Sequence, residues 1–183
     1  VGSASAREFV AWYNGHPDAS GLQFDLSHER VVVAGNGNVA LDVARILTCD
    51  PQTLARTDIA DHALSALGAS KVREVVILGR RGPLQAAFNS PELEELGTLD
   101  GVDVVVERTD LADLTQTRGT DLATVRKLEL LHEYASRTPR AGTRKIILRF
   151  LQSPVAVLGS SRVSAVRVAR NQLIQDASER WVA

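Results

Sequence analysis

Helical and strand periods alternate along the chain, and turn residues separate them. Residues 5–14, "SAREFVAWYN", place Phe9, Trp12 and Tyr13 on one helical stripe, with Ser5 and Glu8 at capping-box spacing. Gly15, Pro17 and Gly21 then break the helix. Arg30–Ala34 is a continuous apolar run, the pattern of a strand inside a parallel sheet rather than a half-exposed one. Asn38–Thr48 returns to a helical pattern, its apolar content supplied by Val39, Leu41, Val43, Ile46 and Leu47. Residues 51–56 and 58–67 predict two short helices capped near Asp50 and Thr57. A second buried strand is expected over residues 72–79. Ser90 as N-cap and Pro91 at the first helical position then open a helix that runs to Leu96. A third strand, Val102–Val106, follows the turn Asp100-Gly101, and a longer polar helix covers Leu122–Ser136.

The tail changes character. Three β-rich runs, near 144–151, 154–158 and 162–170, are parted by Ser153-Pro154 and Gly159-Ser160-Ser161. Such short separations permit hairpins but not parallel crossovers, so the tail is expected to be an antiparallel meander. The whole reads as β-α-β-α-β with an antiparallel appendage, an α/β class.

Between the first strand and its helix lies Gly35-Asn36-Gly37-Asn38-Val39-Ala40, which matches the G-x-G-x-x-G/A pattern in strand–helix context. Gly35 permits the tight turn, Gly37 lets a pyrophosphate approach the backbone, and Ala40 keeps helix and strand close. Free amides around Asn38 and Val39 would face a phosphate at the positive end of the helix dipole. A dinucleotide cradle is therefore expected, in a Rossmann-like fold.

The choice of dinucleotide rests on the second strand. In an NAD site an acidic residue about 20 positions on accepts a hydrogen bond from the ribose 2′-hydroxyl. Asp58 has that spacing but follows no strand, and a helix start explains it better. The second strand ends instead in Gly79-Arg80-Arg81-Gly82. Two guanidiniums suit a 2′-phosphate and leave a 2′-hydroxyl without an acceptor, so the expected cofactor is NADP.

Composition adds bounds. With 183 residues, 44% apolar and 23% charged, the chain is expected to be one domain with a sizeable core. A net charge of −1 gives no global attraction for nucleic acid or an anionic membrane. Alternating arginines in "SRVSAVRVAR" suggest one wet strand face rather than a nucleic-acid surface. Cys49 is the only cysteine, and no apolar run approaches the length of a membrane span, so a cytoplasmic setting is expected. Burial as a small apolar filler suits Cys49 better than a nucleophilic role. His16, His28, His62 and His132 are scattered without metal-ligand spacing, and no metal is expected. No residue is singled out as catalytic. The chain begins with Val1 and holds no methionine, which suggests a domain excised from a longer protein.

"GNGNVALDVARIL" together with "GRRGPLQAAF" resembles the adrenodoxin reductase-like ferredoxin–NADP reductases, and "REFVAWYNGHPD" resembles the segment leading into their NADP domain. The resemblance extends over essentially the whole chain. It implies a Rossmann-like three-layer NADP-binding domain over residues 1–183, with residues 1–21 as a leading helix and linker. That domain has a central parallel sheet, helices and an antiparallel meander. In such proteins the domain is inserted between two halves of an FAD domain, and no flavin-binding loop is present here. The resemblance further implies that Asn36, Gly37, Asn38 and Val39 contact the diphosphate, that Arg80 and Arg81 bind the 2′-phosphate, and that Glu92 contacts the adenosine end. Alternatively, Glu92 is a first-turn glutamate favoured by the helix dipole. Glu95 matches a glutamate near the nicotinamide in some members, and Asp42 either faces the flavin domain or is a solvated helix residue. The intact protein would pass electrons between NADPH, FAD and a ferredoxin-type iron–sulfur protein. The NADPH domain of a glutamate synthase-like reductase subunit and a non-catalytic NADP-sensing domain are the rival readings.

Overall fold

β1 (Arg30–Ala34), β2 (Glu74–Leu78), β3 (Val102–Val106) and β4 (Arg144–Arg149) pair in parallel, in the order β1-β2-β4-β3. The computed structural model describes residues 1–111, 121–175 and 181–183. Directly paired residues share a sheet face, so the register decides what is buried. Val33, Ile77, Leu148 and Val106 form one buried row, and Val75, Ile146 and Val104 another. The row between them points to the opposite face and is only partly covered: Val76, Ile147 and Val105 are half-buried and Val32 is 36% exposed.

On the buried rows pack α2 (Asn38–Thr48) and α6 (Leu122–Ser136); α1 (Ala6–Tyr13) lies on α2 and on α4 (Asp61–Gly68), which follows the short α3 (Pro51–Leu54), and α5 (Ser90–Leu96) touches α2 and α6. The Ser5–Glu8 box at the start of α1 forms as expected: Ser5 Oγ accepts from the Arg7 amide and Glu8 Oε2 from the Ser5 amide, each at 3.2 Å. The α1 stripe of Phe9, Trp12 and Tyr13 is buried around Phe24, with Phe9 and Phe24 edge to face at 5.0 Å. The Ala60 amide donates to Tyr13 O at 2.9 Å, and His62 Nε2 meets the Trp12 carbonyl at 3.0 Å, so the end of α1 is stitched to the start of α4. No helix among the described residues is long and apolar enough to cross a membrane.

Several expectations need correction. Residues 144–149 are not part of the antiparallel tail but the inner parallel strand β4, between β2 and β3. The short gap before the next run excludes parallel pairing only between those two runs. It does not prevent β4 from pairing with strands far away in sequence, and α6 supplies the crossover from β3. The antiparallel part is the hairpin of β5 (Gln152–Leu158) and β6 (Ala165–Arg170), followed by the small pair β7 (Ile174–Gln175) and β8 (Trp181–Val182). β1 lies at an edge of its sheet, not inside it; an unbroken apolar run reports two apolar faces, not two covered ones. α4 starts at Asp61, because the Thr57 hydroxyl donates to Leu54 O and closes α3 instead of capping the next helix. α5 begins with Asn89 as N-cap, and the Ser90 hydroxyl donates to Ala123 O on α6.

Placing β4 inside the sheet has a measurable consequence. Ile146, at 0% exposure, sits in the core, whereas Val168 on the hairpin is 42% exposed. Ile146→Ala is expected to cost about 2–5 kcal/mol in denaturant unfolding, against under about 1 kcal/mol for Val168→Ala.

Candidate dinucleotide site

The site is built where β1 and β2 end side by side. Beyond Ala34, the Gly35 amide donates to Leu78 O at 2.9 Å, which extends the parallel ladder by one bond. Gly35 then turns the chain at φ +116°, a conformation that disfavours any side chain with a Cβ. Gly37 is the N-cap of α2 and supplies no side-chain cap. Helical bonding starts with the Ala40 amide donating to Gly37 O at 2.9 Å, so the amides of Asn38 and Val39 stand in the unpaired first turn. A Cβ built on Gly37 would meet nothing within 4 Å: the space belongs to no protein atom and is open to a ligand. Amides at a helix start beside open space form an anion site.

Asn38 locks this loop to α5. Its Oδ1 accepts from the Asn89 amide and its Nδ2 donates to Glu92 Oε1, both at 2.9 Å. Glu92 is thereby brought to the glycine loop. Its second oxygen, Oε2, is buried without a hydrogen-bond partner, as is Asn36 Nδ2. A buried acceptor and a buried donor left open beside the loop are what a polar ligand would complete.

The diarginine turn touches the same loop. Gly79 follows β2 and is buried against Asn36; a Cβ there would collide with the Asn36 amide and meet its Cγ at 3.0 Å. Arg80 is exposed and Arg81 half-buried, and among the described residues neither joins an ion pair. Gly35, Asn36, Gly37, Asn38, Val39, Arg80, Arg81 and Glu92 are thus gathered at the carboxyl ends of β1 and β2. Ligands of open α/β sheets bind at such carboxyl ends.

Other candidates separate from this group. Asp42 and Glu95 share Arg45, at 3.6 and 3.7 Å, in partly exposed ion pairs. Asp58 is exposed in the turn after α3 and follows no strand. Burial pushes the Cys49 thiol pKa up, away from the thiolate that nucleophilic chemistry needs. No group of three metal-ligating side chains lies among the described residues.

Sequence reasoning missed Asp110, just past β3. Its carboxylate is fully buried, accepts from the Phe150 amide at 3.1 Å and faces Arg149 at 3.4 Å and Arg170 at 3.7 Å. An acid just beyond a strand that runs parallel to β2 and β4 is the signal that could have found it. It also missed Leu151 and Asn171, which lie against the diarginine turn.

Fold and site together define a domain of the Rossmann-like α/β class, with a glycine loop at a helix start and beside it a diarginine turn that has no ion pair among the described residues. The relatives narrow the class. The chain is 51% identical over its full length to the NADPH-ferredoxin reductase FprA of Mycobacterium tuberculosis, and covers 40% of that protein. Over 76% of its length it is 47% identical to the mitochondrial NADPH:adrenodoxin oxidoreductase of Arabidopsis thaliana, of which it covers 29%. A solved structure of Mycobacterium tuberculosis FprA in complex with NADPH superimposes with a TM-score of 0.96 at 50% identity, over 99% of this chain and 40% of that one. No protein-family model matches. By sequence and by fold the chain is similar to these reductases, and it spans well under half the length of the relatives named here.

Contact between the two loops can be tested by a double-mutant cycle. Gly79→Ala alone is expected to lower the melting temperature by several degrees, the size of a roughly 1–3 kcal/mol overpacking penalty. Adding Asn36→Ala removes the colliding amide and is expected to recover most of that loss.

Proposed function

We propose that residues 1–183 form the NADP-binding domain of a flavoprotein oxidoreductase. In that reading the domain holds NADPH for electron exchange with FAD and a ferredoxin-type iron–sulfur protein, in the cytoplasm. The observation that carries it is the pair Arg80 and Arg81, directly after the Gly79 that packs on the glycine loop, with no ion-pair partner among the described residues. A phosphate placed by the loop and a second phosphate on the adenosine ribose would find donors on both sides. The residues fit the cofactor in three further respects: open space at Gly37, the unmet acceptor on Glu92 and the unmet donor on Asn36.

Each residue then has a stated part. Gly35 sets the turn, and the amides at Asn38 and Val39 hold the diphosphate with the help of the α2 dipole. Asn36 and Gly37 shape the approach of the backbone to it. Arg80 and Arg81 bind the 2′-phosphate through charge-assisted hydrogen bonds, which distinguishes NADP from NAD. Glu92, anchored by Asn38, presents its free oxygen to a hydroxyl on the adenosine side. The bound nicotinamide supplies hydride transfer; the protein supplies affinity, orientation and selectivity. No side chain in this group is placed to move a proton in that chemistry, so no catalytic residue is assigned.

Calorimetry tests the reading. NADP is expected to bind more tightly than NAD, and Arg81→Ala to weaken NADP about 10- to 100-fold, the worth of one charge-assisted contact. Equal affinity for the two nucleotides would contradict it.

A further inference from the structure

Three consecutive carbonyls of the diarginine turn are all taken by donors from one stretch of the tail. Gln152 donates its amide to Gly79 O at 2.9 Å, and Leu151 donates its amide to Arg81 O at 3.1 Å. Between them, Arg80 O accepts from a side chain, Asn171 Nδ2, at 2.7 Å. The Gly79 amide donates in turn to Arg149 O at 2.8 Å. The turn therefore has little backbone freedom left, although its two arginine head groups are free of protein partners among the described residues.

Asn171 is itself oriented. Its amide donates to Leu151 O at 2.7 Å, and the same Nδ2 also donates to Ser153 Oγ at 2.8 Å, so both of its side-chain protons have acceptors. Leu151 completes the arrangement in an unusual way. It has φ +54°, the only positive φ at a non-glycine position among the described residues. The left-handed conformation is uncommon for leucine and persists where the surroundings over-determine it. Here it lets one residue both give its amide to Arg81 O and take the amide of Asn171 on its own carbonyl.

We propose that Asn171, acting with left-handed Leu151, is a positioning residue for Arg80 and Arg81 and so sets the preference for a 2′-phosphorylated over an unphosphorylated dinucleotide. The inference rests on the reading of Arg80 and Arg81 as 2′-phosphate ligands. Head groups that no described side chain holds inherit their position from the backbone that carries them. A loss of a few tenths of an ångström in that backbone degrades two charge-assisted contacts together. Recognition of the remainder of the nucleotide, by the glycine loop, does not pass through Asn171. The β5–β6 hairpin then has a stated role: the two anchors sit side by side at its open end, Leu151 just before β5 and Asn171 just after β6.

The test is the ratio of NADP to NAD affinity, measured on the whole chain beside its melting temperature. Asn171→Ala is expected to lower NADP affinity about three- to tenfold, the worth of one neutral hydrogen bond, and to move NAD affinity by no more than about twofold. Leu151→Val and Leu151→Gly read the same turn with the Asn171 side chain left in place. Valine resists φ +54° and is expected to lower the ratio, and glycine, which accepts that φ, to lower it less. An unchanged ratio in Asn171→Ala, or a valine variant no worse than the glycine one, overturns the inference. So does a parallel fall in both affinities and in melting temperature, which marks a merely structural stitch. Arg81→Ala separates the two levels. If it leaves the ratio unchanged, the reading of the arginines is wrong; if it lowers the ratio while Asn171→Ala does not, only the positioning role is.

Discussion

Ala34 pairs with Leu78, and Leu78 with Arg149, so three strand ends lie side by side at one edge of the parallel sheet. Every part of the site hangs from that register. It sets Gly35 to donate to Leu78 O and Gly79 to donate to Arg149 O, carrying the ladder one bond past each strand before the chain turns away. The glycine loop and the diarginine turn, more than forty residues apart in sequence, meet through Asn36 and Gly79 because their strands are in step. A slip of one residue would turn the alternate side chains of β2 from core to surface. Since Val75 and Ile77 lie in the buried rows, hydrophobic packing enforces the alignment on which the site depends.

Charge is distributed unevenly at this edge. Asp110 is buried and offsets Arg149 and Arg170, with the Phe150 amide adding a hydrogen bond. A buried carboxylate needs such partners, since the penalty for removing it from water is otherwise unmatched. Arg80 and Arg81 stand where water reaches them and have no acid beside them among the described residues. Two arginines thus offset the buried acid, and two others stand without an acid at the mouth of the site among the described residues. The same contrast holds for hydrogen bonding. Asn38 satisfies two partners on α5, while Glu92 Oε2 and Asn36 Nδ2 remain open.

Much of this was legible in the chain. The Ser5–Glu8 box, the helices Asn38–Thr48 and Leu122–Ser136 and the strand Val102–Val106 follow from local period and capping alone. The glycine loop was legible because Gly35 and Gly37 answer local requirements of conformation and space. Arg80 and Arg81 stood out as candidates because the end of a second strand is where an adenosine ribose is read in such folds. What escaped depends on partners distant in sequence. Whether residues 144–149 join β2 and β3 or β5 cannot be decided by period, since a strand looks the same in either sheet. The roles of Leu151 and Asn171 rest on hydrogen bonds to residues 81 and 80, and neither residue type announces such a contact.

The central claim is that Arg80 and Arg81 meet a doubly charged phosphate. Phosphorus NMR of 2′-phospho-AMP observes that group directly. Free phosphate monoesters take up their second proton near pH 6, at about the value of a phosphorylated side chain. Two guanidiniums favour the dianion, so in complex with the chain the 2′-phosphate resonance is expected to stay at its dianion position well below that pH, and Arg81→Ala to bring the titration back toward the free value. A bound 2′-phosphate that titrates as it does in free solution would contradict the account.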